Sequence, residues 1–283
     1  MSSTVLDPPL VPAAAPPAAA RPPGAARRLG RRLIGLRKLT GLVAVLLAWQ
    51  WGTAHGDAWG AMTPSPAEVG AAAAELLRSG ELADHLAVSL GRVGAGLAIG
   101  LGAGLLLGLG AGLLRLVEDV VDAPLQALRM LPHLALLPLF IIWFGIGEQS
   151  KVTLIAVGAV FPLYLNVLHG IRGVDERLVE SARSCGVRGP ALVRRVILPG
   201  ALPQILIGLR QALGVGWLGL VVAELVNAEA GIGFLLNDAK EFLRTDKIFV
   251  VLVLYALFGV ATDQLVRFVE RRALAWRRGF AGE

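Results

Sequence analysis

Residues 86–113, LAVSLGRVGAGLAIGLGAGLLLGLGAGL, contain a single charged side chain, Arg92. A run this apolar belongs in lipid, where every backbone N–H and C=O must be satisfied within the protein. A helix needs about 20 apolar residues to cross a hydrocarbon core roughly 30 Å thick. Five further segments qualify: about 36–54, 123–145, 151–169, 203–225 and 248–269. The expected fold is therefore an all-α membrane protein with about six transmembrane helices. Composition agrees, since 17% of residues are charged against about 25% in soluble domains.

The third segment is the least regular, because Pro132 and Pro138 interrupt LQALRMLPHLALLPLFIIWFGIG. Proline is tolerated in a membrane helix when neighbours satisfy the freed carbonyls, so a kink is expected rather than a break. The first segment follows RRLGRRLIGLRK and resembles a signal or twin-Arg peptide. Further spans follow it without a clean cleavage site, which favours an uncleaved span anchored by Trp49, Trp51 and Trp59.

Orientation follows from Lys and Arg in alternate loops. The tail through Lys38 has seven and the 170–202 loop has six, whereas residues 55–85 have one against five acidic residues. Both termini and the 170–202 loop are thus expected in the cytoplasm: N-in and C-in. The domain reading is a disordered Pro/Ala/Arg-rich tail over 1–35, a transmembrane domain over 36–272 and a cytoplasmic tail over 273–283. The net charge of +6 does not indicate nucleic-acid binding, because the arginines flank apolar runs rather than an independent soluble domain. One cysteine, Cys185, excludes an intramolecular disulfide and a Cys-based zinc site; it reads as a small apolar residue.

Gly96, Gly100, Gly104, Gly108 and Gly112 recur every four residues on one slowly drifting helix face. Small residues let a second backbone approach, so this face is read as helix packing, against another span or a second copy of the chain. GIGEQSKVT (145–153) has a faint phosphate-loop look but lacks the terminal Gly-Lys-Ser/Thr. No HExxH or nucleophile-elbow pattern occurs, so catalysis by this chain, and a metal or cofactor of its own, are not expected.

Ionisable residues in or near the spans are few: Arg92, Arg129, His133, Arg210, Glu224 and Asp263. Arg92 and Glu224 fall near span ends, where snorkelling costs little, and an inter-helix pair or interface anchor is the plainer role. Arg210 lies about two turns inside its span. Arg210, Arg92 and His133 are the candidates for a substrate pathway.

The stretch 175–199 breaks the apolar pattern. Asp175 is placed to cap a helix carrying Leu178, Ala182 and Cys185 on one face, and Gly186 ends it. A second short helix is expected from Pro190 to Pro199, with the next span beginning at Pro203. These helices suit a rigid cytoplasmic knob or an element lying on lipid headgroups equally well.

Glu180-Ser181-Ala182, Gly186 and Val196-Ile197-Leu198-Pro199 resemble the EAA signature of the membrane subunits of ATP-binding-cassette (ABC) importers. Ser181 and Val196 depart mildly from its Ala and Ile; the spacing is kept. MTPSPAEV, FPLYLNVLHGIRGVD and KEFLRTD are similar to the aliphatic-sulfonate permease branch, which also holds taurine and nitrate permeases. The resemblance, over about 64–272, implies a type I importer permease fold in a bacterial inner membrane. It implies two permease copies, a cytoplasmic ATPase dimer that consumes the ATP, and an external substrate-binding protein. Glu180, Ser181, Ala182, Arg183, Gly186 and Pro199 would then form the ATPase-coupling element. The competing class is an ion-coupled secondary carrier, but neither an inverted repeat nor a mid-membrane acidic residue is evident.

Overall fold

The structure, a computed structural model, describes residues 40, 41, 43–45, 47–53, 63–226 and 228–276. The expected tail over 1–35 and Trp59 lie outside the described residues, as does part of the C-terminal tail, 277–283. The chain separates into two units, 1–52 and 53–283. The described part of the first predicted span is a short apolar helix, α1 (Val43–Thr53).

In the second unit every regular element among the described residues is helical. Helix α2 (Pro66–Arg78) starts at a capping box: Ser65 Oγ accepts from the Glu68 amide and Glu68 Oε2 accepts from the Ser65 amide, with Pro66 in the first turn. Gly80, at φ +82°, turns the chain into α3 (Glu81–Leu113). Extended backbone at Leu114 ends α3. The next helix, α4 (Arg115–Arg129), then packs Val117, Val121 and Leu125 against Ala111, Tyr164 and Leu168.

The third predicted span is broken rather than kinked. Helix α4 stops at Arg129, a 3-10 turn covers His133–Leu136, and α5 spans Leu137–Phe144, the two halves lying at 89°. Pro132 lacks an N–H, and its ring drives the preceding residue out of the helical region. Pro138 sits in the first turn of α5, where its missing N–H costs nothing.

Helix α6 (Glu148–Arg172) is central, lying between α3 and α9 (Leu198–Leu225). Lipid supplies no hydrophobic drive between helices, so close backbone approach must hold them. All five glycines of the α3 ladder face α6. A Cβ at Gly96 would lie 2.6 Å from Ile155, one at Gly104 2.7 Å from the Val160 carbonyl, and one at Gly108 2.7 Å from Val167. The α6 residues that meet the ladder, Ala159, Leu163, Val167 and Ile171, also join Ala201 and Ala212 of α9 in one buried cluster. A second cluster joins Leu76 and Ala72 of α2 to α10 (Ile232–Glu241) through Ile232 and Leu235, and to α11 (Thr245–Ala273) through Val250 and Val251.

Among the described residues α3, α6, α9 and α11 are each long and apolar enough to cross a membrane, and α4 with α5 supplies a fifth crossing if counted as one bent span. Ile99, Leu106, Leu218 and Leu257 stay exposed, as lipid-facing side chains do.

Candidate functional site

After α6, Asp175 Oδ1 accepts from the Arg177 amide at 2.9 Å and starts α7 (Glu176–Ser184). The helix ends as its glycine requires. Gly186, at φ +81°, donates to the Arg183 carbonyl and Val187 donates to the Ala182 carbonyl, both at 3.0 Å. This is a Schellman closure, in which a left-handed residue satisfies the last carbonyls. Gly189, also left-handed at φ +57°, redirects the chain into α8 (Pro190–Leu192).

The second short helix does not stop at Pro199. Helix α8 passes through a π-turn, Val193–Ile197, directly into α9, so that Pro190–Leu225 is continuous over 36 residues. Pro199 falls in the first turn of α9, directly after the π-turn, and Pro203 is absorbed within α9. At 1.5 Å per residue this rod is about 54 Å long, so the elbow formed by α7 and α8 runs, through its α8 arm, without a break into a membrane span.

No residue of α7 is buried. Glu180, Ser181 and Arg183 are exposed, Ala182 and Pro199 half-buried, and Leu178 keeps 52% of its surface. Cys185 is exposed and fills no core. Among the described residues no ion pair engages Glu180, Arg183 or Arg188. The elbow thus presents an apolar stripe and unpaired charges that nothing in the described chain covers.

The far end of α9 carries a polar lock. Arg92 of α3 donates through Nε and Nη2 to the two Glu148 carboxylate oxygens at 2.5 and 2.6 Å. Its Nη1 reaches Glu224 Oε1 at 2.8 Å and the Ala230 carbonyl at 2.5 Å. Glu224, fully buried, also accepts from Ser89 Oγ at 2.7 Å and from the Gly233 amide at 2.9 Å. Ser89 in turn accepts from the Ile232 amide at 2.8 Å. A cavity of about 730 Å³ borders the lock, lined in part by Arg92, Glu148, Lys151 and Glu229. Arg92 and Glu224 form the inter-helix pair but do not snorkel, because their partners take the place of water.

Sequence reading missed Glu148, Ser89 and the Ile232 and Gly233 amides at the start of α10. A lone arginine in an apolar run does signal a carboxylate elsewhere, but the choice among carboxylates needs the fold. Arg210 is held apart from this lock, 2.9 Å from Glu270 and 3.3 Å from Asp263, two carboxylates two turns apart on α11. His133 lies at the bend between α4 and α5, packed beside Gly158 of α6. The three pathway candidates thus stand at three separate places.

Residues 100–274 match the family of binding-protein-dependent transport system inner membrane components. A relative from Escherichia coli K12 named as an aliphatic sulfonates transport permease, SsuC, is 49% identical over 84% of this chain and 90% of its own. The SsuC relative of Bacillus subtilis 168 is 44% identical over 90% and 93%. The E. coli taurine transport system permease protein TauC is 38% identical over 68% and 70%. In fold, the chain matches a solved amino acid ABC transporter with histidines at TM-score 0.60 and 19% identity, over 70% of this chain and 97% of that one. With its central helix layer, its broken span and its exposed elbow, the chain belongs to the family of binding-protein-dependent transport system inner membrane components and is a multi-pass inner-membrane permease subunit of an ABC transporter.

Proposed function

We propose that this permease imports aliphatic sulfonates as a homodimer, with two cytoplasmic ATPases on its elbows and an external binding protein delivering substrate. The observation that carries the coupling role is the uncovered α7 elbow, whose Glu180, Gly186 and Pro199 keep the EAA spacing. The sulfonate assignment is supported by the two relatives of that name at 49% and 44% identity; the taurine relative stands at 38%. Taurine is the second reading, with nitrate or a thiamine-precursor-like solute behind it.

On this reading the chain is non-catalytic and binds no cofactor; the partner hydrolyses the ATP. Both termini and the elbow face the cytoplasm, in keeping with the basic residues of the 170–202 loop, and lipid surrounds the exposed apolar faces. ATP-driven closure of the ATPases draws the two elbows together. Because Pro190–Leu225 is one rod, the displacement travels along α9 to the Arg92–Glu224 lock, and the pathway alternates between inward- and outward-facing states.

Gly186→Val forces a β-branched residue into a left-handed conformation, which costs about 1–2 kcal/mol or more, and should distort the elbow. The variant is expected to insert in the membrane but to lose alkanesulfonate uptake. Uptake at the wild-type rate would refute the coupling role. Growth of a deletion strain on alkanesulfonate as sole sulfur source, undiminished, would refute the substrate.

A further inference from the structure

The bend of the broken span encloses a second polar feature, separate from the elbow and the lock. A cavity of about 280 Å³ opens there, between the ends of α4 and the 3-10 turn on one side and α6 and α9 on the other. Arg129, the last residue of α4, and His133, the first of the 3-10 turn, both line it. Beside the 89° bend, Arg129 and His133 bring two basic side chains to one cavity. Gly158 makes room for the imidazole: a Cβ there would lie 3.1 Å from His133 Cδ2.

Polar side chains gather on one side of the cavity. Among the described residues His133 Nε2 is a buried nitrogen without a hydrogen-bond partner, and no carboxylate engages Arg129. Asn166 is fixed by its neighbours: its Nδ2 donates to the Pro162 carbonyl at 2.7 Å and to Gln211 Oε1 at 2.9 Å, and its Oδ1 accepts from Gln204 Nε2 at 2.7 Å. Because Gln211 accepts through its oxygen, its amide nitrogen is left to donate. Gln211 stands midway along α9, so this donor lies deep within the span. No acidic residue lines the cavity, and its remaining wall is apolar, with Phe161, Leu165 and Val215.

A guanidinium, an imidazole able to donate and a carboxamide N–H beside an apolar wall suit an anionic oxygen-rich head on a short aliphatic chain. We propose that this cavity is a transit site for alkanesulfonates, the sulfonate held by Arg129, His133 and Gln211 and the alkyl chain laid against Phe161 and Leu165. The inference rests on the sulfonate reading above and adds that the permease itself, and not only its binding protein, recognises the solute.

The test uses the full complex, with its ATPase and binding protein, reconstituted in liposomes, and measures uptake of methanesulfonate and butanesulfonate. The binding protein is the same in every arm, so differences between variants report on this chain. Complexes are first matched by the amount of permease that co-purifies with the ATPase. Arg129→Gln is expected to lower uptake of both sulfonates tenfold or more. Phe161→Ala removes only the apolar wall and is expected to lower the butanesulfonate-to-methanesulfonate ratio at least threefold. Should Arg129→Gln fail to assemble, the ratio in Phe161→Ala decides the matter. Wild-type ratio and rates in the assembled variants would overturn the site and leave the proposed function standing. A wild-type complex that takes up neither sulfonate would overturn both.

Discussion

Arg92 Nη1 on α3 lies 2.8 Å from Glu224 Oε1 on α9, with 5% and 0% of the two side chains exposed. The pair spans 132 residues of sequence and ties the far ends of two spans together. Breaking a buried pair from one side leaves a desolvated charge, at a cost of about 3–5 kcal/mol. Arg92→Met should therefore lower the unfolding temperature in detergent sharply. Arg92→Met combined with Glu224→Leu should recover part of the loss. A double variant no more stable than Arg92→Met would show that Glu224 matters through Ser89 and the Gly233 amide rather than through the pair.

The α3 ladder predicts sharp position dependence among neighbouring glycines. A side chain at Gly104 meets the Val160 carbonyl at 2.7 Å and Leu163 at 3.2 Å, whereas Gly102 has nothing within 4 Å. Gly104→Leu should cost about 1–3 kcal/mol or more through overpacking. Gly102→Ala should be neutral or stabilise by up to about 1 kcal/mol, since alanine loses less entropy in a helix. Denaturation of the two variants in the same micelles separates ladder from lipid face; equal losses would contradict this packing.

Leu178 is 52% exposed on α7 and fills no core. Leu178→Asp should leave stability within about 0.5 kcal/mol, as surface changes usually do, and should weaken ATPase association at least tenfold in pull-down from mild detergent. Full recovery of the ATPase with this variant would argue that the stripe lies on lipid instead.

The Asp175 cap is a local device. Asp175→Ala removes the acceptor for the Arg177 amide and should cost about 1 kcal/mol. Hydrogen exchange should accelerate in the first turn of α7 and remain unchanged along α9. Faster exchange throughout α9 would mean that cap and rod are energetically one unit.

Legibility followed the range of each interaction. Gly186 announced a left-handed helix end, and φ is +81° there, because the absence of a Cβ is a property of the residue itself. Asp175 capping was readable for the same reason, donor and acceptor being two residues apart. The prolines misled. Pro132 broke a helix that was expected only to bend, while Pro199 did not stop one and Pro203 did not begin one. A proline removes one N–H and crowds the residue before it; whether the helix survives depends on what neighbouring helices and the π-turn do with the freed carbonyls.

By itself the sequence determined that this chain lives in lipid as helices, that one face of α3 is made for close contact, and that an elbow of fixed spacing interrupts the spans. Each of these is written in residue type and local period. Only the tertiary structure decided that the ladder meets α6, that Arg92 takes both Glu148 and Glu224, and that Arg129, His133 and Gln211 share one cavity. The physical reason is that lipid offers no partner to a polar group: such a group must be satisfied by whatever the fold brings near, and what comes near is set by the packing of whole helices.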